Sequence, residues 1–222
     1  MRTAKTAGVL MSLVFTASMA AQPPAAPEPR AETQGIKETD KFIKQGGEVA
    51  HAVGVAKLQV QNTLASYNAL VSSSSKNMKK DYGKLLKEMK EMDEKTAAAR
   101  TEVGEMETAG KTYFAGRETT IAGIKDPQLK ATAQQRLAAS QKQHADVLAS
   151  LRSTGEALEP IRKELDDQIK FLGSDLNPGA AAALAPNAKK LNDQGNTAFA
   201  KADEAINNAN TYFNALKSET GR

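Results

Sequence analysis

The chain has only two histidines, and one stands where a buried imidazole could do chemistry. His144 lies four residues after Ser140 and three before Val147, inside a run of apolar and small residues. A neutral imidazole in such a run could ligate a metal ion or titrate near physiological pH. It could equally be a polar residue that sets helix register, satisfied by Ser140 or by a facing helix. A di-iron bundle site needs Glu three positions before the histidine, and residue 141 is Gln. His51 falls between Val49 and Val53 and is expected to face solvent.

Carboxylates are frequent in two places: Glu88, Glu91, Asp93 and Glu94, then Glu164, Asp166 and Asp167. Lysines interleave them at helical spacing, Glu91 with Lys95 and Glu94 with Lys90, as solvated pairs on a helix surface do. Gly-rich phosphate loops, a His-Glu-x-x-His helix and a nucleophile elbow are missing. There is no Cys, so neither a thiolate nor a disulfide is available. The residues therefore point away from an enzyme and from a cofactor, and His144 is the sole metal-ligand candidate.

One basic run remains, Lys76, Lys79, Lys80, Lys84 and Lys87, with Met78, Tyr82 and Leu85 on the opposite side. It could touch an anionic membrane or cell-wall surface, or simply be a solvated face.

Long helices must position all of these groups. Met78, Tyr82, Leu85, Met89, Met92, Thr96, Ala99, Val103, Met106, Gly110 and Tyr113 follow alternating steps of four and three. So do Leu137, Ser140, His144, Val147, Leu151, Thr154, Leu158, Ile161, Leu165, Gln168 and Leu172. A mean step of 3.5 is the coiled-coil period. A first helix carries Phe42, Gly46, Val49, Val53, Ala56, Val60, Leu64, Tyr67 and Val71. A last one carries Ala188, Leu191, Gly195, Ala198, Ala202, Ala205, Ala209, Tyr212 and Leu216. The small residues of that last seam allow close approach, and Phe199, Ile206 and Phe213 widen its apolar face.

Punctuation sets the boundaries. The serines at 72–75 read as a loop or cap, Asp126-Pro127 as a tight turn opening a helix, and Asn177-Pro178-Gly179 as a break. Ala180–Leu184 fits one short helical turn. Pro160 is expected to kink the third helix. The two middle helices come to roughly 70 Å each at 1.5 Å per residue, longer than their neighbours. The expected fold is all-α: an antiparallel bundle of four long helices with a protruding two-helix coiled-coil hairpin, residues 112–141, tipped at Asp126. Ile121, Ile124 and Leu129 near the tip are candidates for binding a protein partner, or else zip the hairpin shut.

The first twenty residues read as a secretory signal: Arg2 and Lys5, an apolar stretch from Ala7 to Ala17, then Ser18-Met19-Ala20 as a cleavage site. Export to the periplasm or beyond, with cleavage after Ala20, is the expectation; a retained anchor is the alternative. The mature chain would carry 28 basic side chains (30 less Arg2 and Lys5) against 26 acidic, a net charge of +2. That balance does not suit nucleic-acid binding. Residues 21–38, rich in Pro and Ala at their start, read as a disordered linker. Residues 39–217 read as one helical domain, and 218–222 as a disordered tail.

The stretch after Pro160 carries a resemblance. Asp167-Gln168-Ile169, then Phe171-Leu172, Leu176-Asn177 and Leu184 resemble the signature of the bacterial domain of unknown function 2959 family. Its pattern is a helix ending in an Asp-x-Val-x-Phe-Leu-type run, three variable positions, Leu-Asn and an Ala-rich helix start. The likeness extends over roughly residues 38–215. The chain departs from it at Gly173-Ser174-Asp175, where the family more often has a basic-polar triplet. The resemblance implies an exported or envelope-associated helical bundle, with Pro160, Asp167, Phe171, Leu172, Leu176 and Asn177 as structural motif residues. It implies no activity. The function expected from all of this is a non-enzymatic structural or interaction module whose partner is another envelope protein or a second copy. Peripheral surface binding through the lysine face, or ligand or metal carriage in the core, are alternatives.

Overall fold

The computed structural model describes residues 31–72 and 77–219, with side chains from residue 35 onward. The signal-like segment 1–20, the Pro-rich stretch 21–30, residues 73–76 including Lys76, and the tail from 220 lie outside the described residues.

Helix follows wherever the 3.5-residue period runs. The elements are α1 (Ala31–Val71), α2 (Met78–Ala122), α3 (Pro127–Ser174), α4 (Pro178–Ala183) and α5 (Ala185–Glu219). Among the described residues there is no strand. The caps follow the local chemistry. Asp126 accepts from the Gln128 and Leu129 amides at 2.8 and 2.9 Å, with Pro127 at the first helical position. Asn77 caps α2 through the Lys80 amide at 3.1 Å, and Asn177 caps α4 through the Ala180 amide at 2.9 Å. Each carboxylate or amide oxygen satisfies a first-turn N–H that has no helical partner. Pro160 sits inside α3, which runs unbroken past it.

α1 lies beside α2 and α5, and α3 beside α5 and α2. The periodic positions face this interior. All nine seam residues of α1, and all nine of α5 from Ala188 to Leu216, are buried. Gly46, whose neighbour Gly47 is exposed, has a definite role: a Cβ there would overlap the ring of Phe213. The core divides into two apolar clusters. One is centred on Phe42, Met106 and Phe213, the other on Tyr67, Leu85, Ile161 and Leu191.

The fold is all-α as expected, but the hairpin protrudes less than expected. α1 starts at Ala31 rather than Thr39, two further turns that the apolar period did not reveal. Those turns carry polar residues that suit a helix, and the last proline before them is Pro29. With this extra length α1 runs beside α2 as far as Gly116, which lies against Glu38. α5 in turn reaches Arg136 of α3 through Glu219, at 3.3 Å. Residues 112–141 are therefore flanked by α1 and α5 along most of their length. Residues 31–38, read as linker, are helical, and so are 218 and 219, read as tail.

Candidate functional site

At His144 the structure builds an aromatic layer. Phe42 of α1, fully buried, is its hub, stacked on Tyr113 with ring centroids 4.9 Å apart. It meets Phe114, His144, Tyr212 and Phe213 edge-on at 5.8, 5.1, 6.2 and 5.0 Å. Edge-to-face and offset pairs are the favoured arrangements of aromatic quadrupoles. All four long helices supply rings, so the layer ties them at one level. Gly110 makes room for the imidazole.

The polar atoms of this layer are handled separately. Ser140 bonds the Tyr212 hydroxyl at 3.0 Å and is not the partner of His144. On the facing helix α2, the Met106 backbone favours the charged form of the imidazole. Its Nε2 is buried without a hydrogen-bond partner. Burial holds the His144 pKa below its ordinary value, against the opposing pulls of the Met106 backbone and the Glu107 charge. Burial, moderated by Ser140, pushes the Tyr212 phenol up to about 12. Among the described residues no three His, Cys, Asp or Glu side chains converge on a metal-sized site. The nearest rings around His144 come from Phe42, Phe114 and Tyr212, which suits a packed imidazole better than a ligand.

The tip residues separate. Ile121 is 6% exposed and belongs to the core, whereas Leu129 is 63% exposed and Ile124 is half-buried. A binding surface at the tip would thus lack Ile121. Along the lysine face, Lys79, Lys80, Lys84 and Lys87 are exposed; Lys87 lies 3.4 Å from Glu91. Glu91 therefore pairs backward with Lys87 rather than forward with Lys95, while the expected Lys90–Glu94 pair is present at 3.7 Å. Among the motif residues, Leu172 is fully buried, Phe171 is 45% exposed and Asp167 is exposed near Lys170.

Sequence reasoning missed a cavity of about 470 Å³ where the two core clusters meet. Its walls come from all four long helices: Val53 and Ala56, Ala99 and Val103, Leu151 and Leu158, Ala198 and Phe199. Four small side chains coincide at this level, Ala56, Ala99, Ala198 and Ala202, each less than 9% exposed. On the solvent side stand Arg100, Gly104, Arg152 and Glu156. Arg100 reaches Glu159 at 3.0 Å and Arg152 reaches Glu107 at 2.7 Å, both across α2 and α3. At about 24 cal/mol per Å³, a sealed empty void of this size would cost on the order of 11 kcal/mol, comparable to a whole domain's net stability. The space is therefore accessible to water or a ligand, and its volume lies within the range of roughly 300–1,000 Å³ usual for small-molecule sites.

No helix among the described residues is long and apolar enough to cross a membrane. Searches of curated proteins and of solved structures returned no match. The family model described as protein of unknown function (DUF2959) matches residues 29–216, most of the chain and every helix from α1 to α4 in full. On that match, which agrees with the resemblance around Pro160 and Asn177, the chain belongs to the DUF2959 family.

Proposed function

We propose that this protein is an exported, non-enzymatic helical module that serves a structural or interaction role in the bacterial envelope. The observation that carries the reading is how the polar side chains of the interior are used. Tyr67 bonds Gln168, Ser140 bonds Tyr212, and Thr154 bonds its own helix through the Ser150 carbonyl. Surface carboxylates pair across helices with basic partners, as Asp93 does with Arg162 and Glu107 with Arg152. Groups spent on holding helices together suit a stiff rod, about 70 Å long by the 48 residues of α3. The leader-like first twenty residues support export.

The rod's exposed end, at Leu129 beside Ile124, is the docking point in this reading. The test is a photo-crosslinking residue at position 129, with one at Leu58 as a mid-rod control, since Leu58 is 58% exposed. Expressed with its own first twenty residues, the chain should be recovered from the periplasm beginning at Ala21. A discrete crosslinked product should form from position 129 and not from 58. Retention in the cytoplasm, or no product at 129, would overturn the proposal.

A second reading is favoured by one observation. Lys79, Lys80 and Lys84 are exposed, and among the described residues no carboxylate lies within salt-bridge distance of them. Leu86, 44% exposed, stands beside them. Such a face suits peripheral contact with an anionic surface. Co-sedimentation with anionic liposomes that weakens with salt, and is lost when the three lysines become Gln, would support it; salt-insensitive or absent binding would remove it.

A further inference from the structure

We propose that the mid-bundle cavity binds a monocarboxylate with a single aliphatic chain, the chain lying between α2 and α3 and the carboxylate held at one end of the mouth by Arg100 or at the other by Arg152. This goes beyond docking at the rod's end and does not depend on it.

The shape of the cavity points to a chain. Its walls take one turn of α1, Val53–Lys57, and one of α5, Ala198–Ala202. They take two turns of α2, Thr96–Gly104, and two of α3, Leu151–Glu159, about 12 Å at 1.5 Å per residue. The wall chemistry points to an apolar one. Two hydroxyls reach this level, but Thr96 donates to the Met92 carbonyl at 2.8 Å and Thr154 to that of Ser150 at 3.1 Å. No hydroxyl proton is left for a polar guest, which would be desolvated without donors.

The mouth is bare of side chains at two facing places. A Cβ added at Gly104 or at Gly155 would meet nothing within 4 Å. At the two ends of the mouth, seven residues apart along the helices, stand the two arginines, and neither is fully engaged. Arg100 and Arg152 each make a single hydrogen bond, to Glu159 and Glu107. A guanidinium carries five N–H donors in a fork matched to a carboxylate. Arg162, ten residues beyond Arg152 on α3, shows the difference: it grips both oxygens of Asp93, at 2.6 and 3.1 Å. Arg100 and Arg152 thus keep donors for a ligand carboxylate while their bridges stay intact. Glu156 stands on the same rim and opposes an anion. It is the residue whose neutralisation should strengthen binding.

The experiment is calorimetric titration of the full chain with laurate, dodecanol and dodecyltrimethylammonium. Laurate should bind saturably, and more tightly than either of the others. Gly155→Leu, which places a side chain in the open mouth, and Ala99→Leu, which fills the interior, should each abolish binding in proteins still folded by circular dichroism. Arg100→Gln with Arg152→Gln should weaken laurate by about tenfold or more, the loss of a charge-assisted bond, and leave dodecanol unchanged. Glu156→Gln should tighten laurate. The proposal is overturned by an absence of saturable laurate binding. It is equally overturned if laurate binds undiminished to both Leu variants, or if the cationic amphiphile binds as tightly as laurate.

Discussion

Gly110 of α2 lies directly against the imidazole of His144 of α3, in the space its own Cβ would occupy. Replacing Gly110 by Ala has two opposed effects. Helix propensity favours Ala by up to about 1 kcal/mol, while overpacking a filled core costs about 1–3 kcal/mol. Phe42 and Phe114 pin the ring from two other sides, so it has little room to yield. Gly110→Ala should therefore lower stability, by roughly 1 kcal/mol or more in urea denaturation. Gly104, six residues earlier on the same helix, has nothing within 4 Å of a Cβ, and Gly104→Ala should raise stability by up to about 1 kcal/mol. The opposite signs are the prediction; equal signs would show that the contact with His144 is not the determinant.

The same imidazole makes stability depend on pH. Burial holds its folded pKa below the unfolded value of about 6.5, so the unfolded state binds the proton first. Stability is then fully present above about pH 6.5 and is lost as pH falls from there toward the folded pKa. The titratable groups facing the ring are the Glu107 carboxylate, which opposes the effect, and the Tyr212 phenol, which stays neutral throughout. Urea midpoints should fall between pH 7 and pH 5.5, and His144→Phe should flatten that fall. An identical slope in the variant would assign the dependence elsewhere. The Lys111 and Arg152 contacts that depress Glu107, and the Arg100 contact that depresses Glu159, act only at lower pH, where carboxylates protonate.

The helices and their inward faces were legible because a 3.5-residue period needs no knowledge of distance. Val49, Met106, Leu165 and Ala205 all lie where that period puts them, inside. Two features were not legible. The first turns of α1 carry no apolar period, so the repeat placed the helix start at Thr39 and left the distal hairpin uncovered. The cavity was hidden for another reason. A small residue in a seam can mean close approach or empty space, and only interaxial distance decides between them. At Gly195 the helices do close up, and a Cβ would lie 2.7 Å from Leu64. One turn away, Ala198 faces the cavity. Both read as the same small-residue seam.

At the tip, burial separates two residues that the sequence grouped together. Ile121→Asp would put a charge among core side chains and should destabilise by about 3 kcal/mol or more. Leu129→Asp, at a position 63% exposed, should stay within about 0.5 kcal/mol of the parent. Thermal melts of the two variants check this. Only the Leu129 variant is a fair probe of docking, since loss of a partner in the Ile121 variant could follow from unfolding alone.

A last prediction concerns Tyr67 and Gln168, buried polar residues on seams of α1 and α3 that hydrogen-bond side chain to side chain. Burial, then the charge of Glu164, holds the phenol neutral far above ordinary conditions, so the bond has no pH dependence near neutrality. Gln168 also donates to Glu164 at 3.2 Å, which fixes the amide with its oxygen toward the phenol. Removing one partner strands the other without water. Tyr67→Phe and Gln168→Leu should each cost about 1–3 kcal/mol. Replacing both removes the pair together, and the double variant should be more stable than the sum of the single costs by about 1 kcal/mol or more. That coupling would mark the pair as a device that sets the register of α1 against α3, as single polar seam residues do in helical bundles. Additive costs would mean that each residue contributes by packing alone, and that register is set by the aromatic layer around Phe42.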